Sequence, residues 1–233
     1  MVDMHHLNTI KQGVSSWNSW KHKNPDLRPN LSRANLSGID LSYVNLSGAE
    51  LIKVNFRKTI LNRACFGYAC LVDADLSSAI LTNAELSFAT LRGADLNEVD
   101  FHEAKLTQAD LSEANLYRAK LNKANLCGAN LSLTNLGETQ LIGADLSMAN
   151  LSCIDIRGAD LTCAILYRAN FENAELVGAN FSEVDFRFAK LSNLVFKGVN
   201  FSSANFQGAE LNEIDFADIR PQTPYGIIPT LMN

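Results

Sequence analysis

ADLSS AILTN AELSF ATLRG ADLNE, residues 74–98, falls into five units of five residues. Each opens on Ala and carries Leu in third place: Leu76, Leu81, Leu86, Leu91 and Leu96. The beat continues in both directions. From Leu31 to Phe216 every residue whose number ends in 1 or 6 is Leu, Phe or Ile, 38 in succession without insertion or deletion. Leu takes 27 of these places, Phe ten, and Ile one, Ile156. A helix repeats every ~3.6 residues and a strand every ~2, so neither explains the period. On a helix a five-residue step would turn each Leu by about 140° and scatter the set round the axis. The chain must instead turn one corner per five residues.

A second position is nearly as strict. Two residues before each central residue, from Ala34 to Ile214, stand 25 Ala among 37 places; the other 12 are Val, Ile, Thr or Leu. One residue separates the small side chain from the large one, so in an extended segment both point inward. The remaining three positions form an outer surface. Asp and Asn dominate before the centre (Asp40, Asn45, Asp75, Asp95), and nine of the 13 glycines fall two residues after it, from Gly38 and Gly48 onward. Both residue types suit tight turns.

A short side followed by a corner, repeated, is a polygonal coil. Three sides leave too little room for Leu plus Ala from each, and a wider polygon leaves a void. Four sides of five residues give a 20-residue coil of square section, about nine and a half coils in all. At the ~4.8 Å strand spacing the rod is roughly 45 Å long. Its backbone groups bond to the coils above and below.

Units such as ANLSG (34–38), ADLSS (74–78), ADLNE (94–98), ANLYR (114–118) and ANFEN (169–173) resemble the pentapeptide-repeat family, whose pattern is A(D/N)LXX. The resemblance covers residues 30–216 and implies an all-β fold, the family's right-handed quadrilateral β-helix. The opening stretch GVSSWNSWKHKNPDLRPNLSRANLSG, residues 13–38, resembles leaders common in cyanobacterial members.

The division expected is therefore a helical cap and lead-in over 1–29, the β-helix over 30–216, and a tail covering the last coil over 217–233. Open ends expose unpaired backbone and apolar side chains and need covering. Leu7, Ile10, Val14 and Trp17 recur at amphipathic-helix spacing, which predicts a helix over roughly 3–21, ended by Pro25. Tyr225, Ile227, Ile228 and Leu231 are expected to close the far end. Seven of the ten central Phe lie at or after Phe171, so the C-terminal coils should have the bulkier core.

The chain's 233 residues carry a formal net charge of −5, with 47% apolar and 19% charged residues. That balance argues against disorder and against a broad nucleic-acid footprint. The repeat block holds 15 basic and 22 acidic residues, while 1–29 hold four and two, so the acidity belongs to the rod. No run of ~18 apolar residues marks a membrane span, and MVDMHHLNTIKQG lacks the apolar stretch of a secretory signal. Five cysteines without a CxxC pattern (Cys65, Cys70, Cys127, Cys153, Cys163) fit free thiols in a cytoplasm.

Catalytic chemistry finds no support. Abundant serines need a base held beside them, and the only histidines are His5, His6, His22 and His102. His102 falls on an outward position next to Glu103. His5 and His6 with Asp3 are the one conceivable metal cluster, and an exposed terminal pair is the simpler reading. Phosphate-loop, dinucleotide and HExxH motifs are missing, and a filled coil leaves no substrate cavity. No enzyme, cofactor, metal or small-molecule substrate is expected, and the protein is expected to be a monomer.

Function then lies on the outside, where residues 20 apart share a column. Tyr68 and Phe88 should stack near the corner that leads to Cys70; Ile52 and Val72 share the adjoining side, and Ile60 and Ile80 another column. Met148, Tyr167 and Phe188 continue the aromatic side. These apolar positions (Ile52, Tyr68, Cys70, Val72, Phe88) form a candidate patch for a protein partner. A second column reads Asn35, Asn55, Asp75, Asp95, Asn115, Asn135, Asp155, Glu175, Val195, Asp215. Some members of the family are acidic DNA mimics that bind type II topoisomerases, and the resemblance makes Asp75, Asp95, Asp155, Glu175 and Asp215 the candidate acidic column for that alternative. Asn interrupts it, and Arg118, Lys120, Arg157 and Lys197 lie on neighbouring columns. The expected function is a non-enzymatic protein-interaction rod, regulatory or scaffolding.

Overall fold

A computed structural model describes residues 2–215. The chain returns to the same place every 20 residues. Asn30 pairs with Glu50, Asn35 with Asn55, Asp40 with Ile60 and Asn45 with Cys65, all parallel, and of these four columns three run unbroken to the pairings of Asn180 with Asn200, Asp185 with Asn205 and Lys190 with Glu210. Each side of the coil is held at one residue, too short for a regular strand. Among the described residues only Leu194–Val195 (β1) and Ile214–Asp215 (β2) extend to two residues, pairing in parallel. Each unit bonds both ways: Leu51 N–H donates forward to Cys70 O at 2.7 Å, and Cys70 N–H donates back to Ala49 O at 2.9 Å.

The corner is a β-turn. Ala34 N–H donates to Leu31 O at 3.0 Å, and the residue before it, Arg33, has φ 64°. A closed turn with positive φ at its third residue has the type II form. The positive φ recurs at every residue ending in 3 or 8 from Arg33 to Glu213, with Gly at nine positions and an L side chain at the other 28. None of the 28 is β-branched, the class for which this backbone is most strained.

Inside, every central residue from Leu31 to Phe206 is buried, with the Ala column beside it. Thr59, Thr134 and Thr139 enter the small column without an orphaned hydroxyl: each Oγ1 donates to a carbonyl of the coil before, Leu36, Leu111 and Leu116 respectively. In the C-terminal coils the Phe rings stack along columns, Phe181 on Phe201 at 5.5 Å and Phe186 on Phe206 at 4.9 Å.

The N-terminal segment differs from the single helix expected over 3–21. It forms α1, Met4–Lys11, and α2, Val14–Lys23. The break is at Gly13, whose φ of 109° no helix contains; hydrophobic spacing carries across it because both helices face the same coil. Ile10 and Trp17 are fully buried, with Leu7 and Val14 packed beside them. Asp3 caps α1 by accepting from His5 N and His6 N. Asn24 Nδ2 donates to Trp20 O at the end of α2, just before Pro25.

This cap answers the first coil's edge with side chains. Trp17 Nε1 donates to Asn45 O at 2.7 Å, and Asn45 N donates to Asn18 Oδ1 at 2.8 Å. On the next side, Asp3 N donates to Asn30 O, and Asn30 N donates to His6 Nδ1. That bond requires an unprotonated Nδ1, so the 3.5 Å approach of the same atom to Asp3 is a contact and not an ion pair. Two sides of the edge are thereby closed. Among the described residues no bond from the cap reaches the sides of Asn35 and Asp40, and Ile39 between them is 37% exposed although it stands in the Ala column. The expected closure of the opposite end by residues 217–233 lies outside the described residues.

Candidate interaction surface

The two candidate surfaces differ in what their side chains are already doing. Tyr68 (φ 60°) and Phe88 (φ 61°) occupy equivalent corners of successive coils. Identical backbone one coil apart projects the rings in register: their centroids are 4.9 Å apart and their planes 3° from parallel. Tyr68 is 69% and Phe88 44% exposed. Burial of apolar surface explains the inner Phe columns, but not a wet pair of rings.

The rest of the candidate patch is less prominent. Cys70 pairs with Glu50 and Thr90 in the middle of the next side, half-buried. Ile52 and Val72 are also half-buried and share the column of Arg92, beyond Leu71. The structure brings Tyr68 and Phe88 into contact and leaves Ile52 and Val72 as a separate strip round the next corner. Ile60 and Ile80 pair on a further side. Met148 and Phe188 stand on the Tyr68 column, and Tyr167 meets Phe188 edge-on at 5.8 Å.

Arginine accompanies the other outward aromatic rings. Arg63 lies over Tyr43 at 5.9 Å, Arg118 over Tyr117 at 4.9 Å, and Arg168 over Tyr167 at 5.2 Å and Phe188 at 6.0 Å. Tyr117 also donates to Glu138, which holds the phenol above its usual range; that bond, followed by the one from Arg118, holds the Glu138 carboxyl below its own. Among the described residues no guanidinium covers Tyr68 or Phe88.

The acidic column exists as a column: Asn55, Asp75, Asp95 and Asn115 pair in turn, and Asp155 pairs with Glu175. Its carboxylates, however, serve the rod. Asp75 Oδ1 accepts from Ser77 N and Oγ. Asp95 Oδ1 accepts from Asn97 N and Asn115 Nδ2. Arg157 Nε donates to Asp155 at 2.8 Å and lies 3.5 Å from Glu175; this hydrogen bond holds the Asp155 carboxyl below the ordinary range. Bridging lapses between Glu175 and Val195, and Asp215 pairs through its backbone with Val195.

The remaining chemistry-bearing residues are placed plainly. His6 is a backbone acceptor packed 4.9 Å from Trp20, and Asp3 is a helix cap. Among the described residues no three His, Cys, Asp or Glu side chains are grouped to hold a metal ion. His102 Nε2 lies 3.5 Å from the exposed Glu103. All five cysteines are unpaired. Burial raises the Cys65 and Cys127 thiols above their usual range, which disfavours the reactive thiolate. No helix among the described residues is long and apolar enough to cross a membrane.

Sequence reasoning missed one feature beside Tyr68. The lead-in after α2 folds back over the first coils, and Pro25, Leu27 and Arg28 wall a depression floored by Gly48 and Gly67 and closed by Tyr68. The readable signal was the pair of glycines preceding Tyr68 on adjacent columns.

The family described as pentapeptide repeats matches in eight copies, over residues 30–67, 69–108, 109–147, 149–187 and 179–218. Among solved structures, HetL from the cyanobacterium Nostoc sp. strain PCC 7120, a pentapeptide repeat protein involved in heterocyst differentiation regulation, is 34% identical. It aligns over 84% of this chain and 90% of HetL, with a TM-score of 0.62. A trypsin-treated form of QnrB1, a plasmid-mediated fluoroquinolone resistance protein, aligns over 79% of this chain and 82% of its own at 20% identity and a TM-score of 0.50; that likeness concerns the fold alone. No curated protein matches the chain significantly. Repeats recognised over most of the length, on a scaffold like HetL's, place this chain in the pentapeptide-repeat family, with its right-handed β-helix solenoid.

Proposed function

We propose that the chain is a non-enzymatic protein-interaction module, regulatory or scaffolding, that binds a protein partner through the outer face of its rod in the cytoplasm. The observation that carries this reading is the exposed, parallel Tyr68–Phe88 stack. It is rigid, aromatic and free of an intramolecular guanidinium, the character of a binding hot spot. A coil bonded to its neighbours on both sides loses little conformational freedom on binding. Similarity to HetL, described as involved in differentiation regulation, supports a regulatory role. The acidic column supports a topoisomerase-binding DNA mimic less well, because Asp75 and Asp95 are spent on turns and Asp155 on Arg157.

Affinity capture from the native host, comparing wild type with the Tyr68→Ser/Phe88→Ser double variant, tests the reading. Loss of a wild-type partner with an unchanged melting curve is expected, and an identical partner set would overturn it. DNA gyrase supercoiling in the presence of the purified protein should be unaffected; potent inhibition would revive the mimic.

A further inference from the structure

The Tyr68–Phe88 column is unfinished at one end. One coil before Tyr68 the same corner is Gly48, with φ 67° against 60° and 61° for the two aromatics. Gly48 N–H bonds forward to Gly67 O, as Tyr68 N–H does to Ser87 O. A side chain at position 48 would therefore leave the rod in the same direction as the two rings. A Cβ placed there meets nothing within 4 Å. The next residue on the column side, Gly67, also lacks a side chain, so the floor is bare backbone.

The walls are specific. On the far side from Tyr68, Arg28 is fixed by its Nε bond to Gly48 O at 3.0 Å and by Glu50, 3.1 Å from its guanidinium. Leu27, half exposed, and Pro25 supply an apolar rim. The resulting depression of about 460 Å³ is shallow and widely open to solvent, with a volume within the range of small-ligand sites (~300–1,000 Å³).

We propose that this cavity is a docking slot for one aromatic side chain of a protein partner, which extends the Tyr68–Phe88 stack by a third ring. The inference rests on reading that stack as a partner surface and names what the partner brings. Two aromatic faces attract in offset or stacked arrangements, and a guanidinium favours the face of a ring. A ring over Gly48 would meet both, Tyr68 on one side and Arg28 on the other. The rod uses Arg–aromatic contacts at Tyr43, Tyr117 and Tyr167. With Glu50 paired to Arg28, the charges of Lys21, Arg28 and Asp26 balance, so a cationic guest gains nothing from charge that an aromatic ring would not.

The test titrates the full-length protein with N-acetyl-tryptophanamide, N-acetyl-leucinamide and N-acetyl-argininamide, read by amide NMR shifts. Saturable shifts at Gly48, Gly67 and Tyr68 are expected for the tryptophan probe alone. Two variants attack the slot from opposite directions. Tyr68→Ser removes a wall, and Gly48→Tyr fills the slot from within, in a backbone conformation that 28 other non-glycine residues of this rod accept. Each should weaken the tryptophan probe about tenfold, the loss of one aromatic contact, with a cooperative melt that Tyr68→Ser leaves unaltered and Gly48→Tyr lowers slightly, the cost of a side chain at positive φ. Absent or scattered shifts, equal binding of the leucine or arginine probe, or undiminished binding to Gly48→Tyr would overturn the slot. Host-partner capture separates this from the wider reading. If the Tyr68→Ser/Phe88→Ser double variant loses the partner and Gly48→Tyr keeps it, the slot is wrong and the interaction surface stands. If both keep it, both fall.

Discussion

Twenty-eight L residues with φ near 60° are the rod's main departure from ordinary backbone. Each costs about 1–2 kcal/mol relative to right-handed geometry, and the hydrogen bonds of the surrounding coils hold it there. The cost should surface at exposed corners free of other contacts. Lys58, φ 57°, is one. Lys58→Gly is expected to be neutral or stabilising by up to ~1 kcal/mol, whereas Lys58→Val should destabilise by ~1–2 kcal/mol; thermal melts of the pair check the sign difference. The absence of Val, Ile and Thr from these positions was present in the sequence, but the glycines alone drew notice. Handedness of a single turn residue is not a hydrophobic signal, so periodicity could not report it.

Within a column, Asp and Asn are not interchangeable. Asn130 Nδ2 donates back to Asp110 Oδ1 at 3.1 Å, and its own Oδ1 accepts from Asn150 Nδ2 at 3.2 Å and from Ser132 N. The same relay runs through Asp95, Asn115 and Asn135, and through Asp160, Asn180 and Asn200. Each chain of amides ends on an Asp in the earliest coil, because a carboxylate accepts without donating. Asn130→Asp keeps the acceptors but sets a like charge against Asp110. A loss of ~1–2 kcal/mol at pH 7 is expected; thermal melts of the two proteins decide it. The column itself was legible as a stack of turn formers. Its hydrogen-bond direction was not, since that depends on which coil lies above.

At the scale of the whole rod, acid should remove stability at two carboxylates of the C-terminal half. Asp155 and Asp185 are held below the ordinary carboxylate range chiefly by hydrogen bonds from Arg157 and Arg187. A folded value below the unfolded one adds stability above the unfolded pKa of ~3.9, lost as pH falls through the folded value. Both arginines are about half exposed, so solvent screening keeps each pair's contribution small. The Asp155→Asn/Asp185→Asn variant is expected to melt slightly lower at pH 7 and to show a shallower decline than wild type between about pH 5 and 2. Parallel pH dependence in the two proteins would show that these pairs contribute nothing.

The five-residue beat was enough to place the core, the four columns and the stacked Tyr68–Phe88 pair, because each is a local pattern repeated until register leaves one geometry. Reading the chain alone also marked Leu7, Ile10, Val14 and Trp17 as one face. It could not see that Gly13 splits that face between two helices, or that Trp17, Asn18 and His6 reach the edge groups of Asn45 and Asn30. Nor could it place Arg28 and Leu27 over Gly48 beside Tyr68. Those contacts join a non-repeating segment to the rod, where no period relates the partners. They exist only because Pro25 and the residues after it lie across the first coils. The repeat specifies where side chains can point; the junction with its unrepeated leader decides which surface is left exposed beside it.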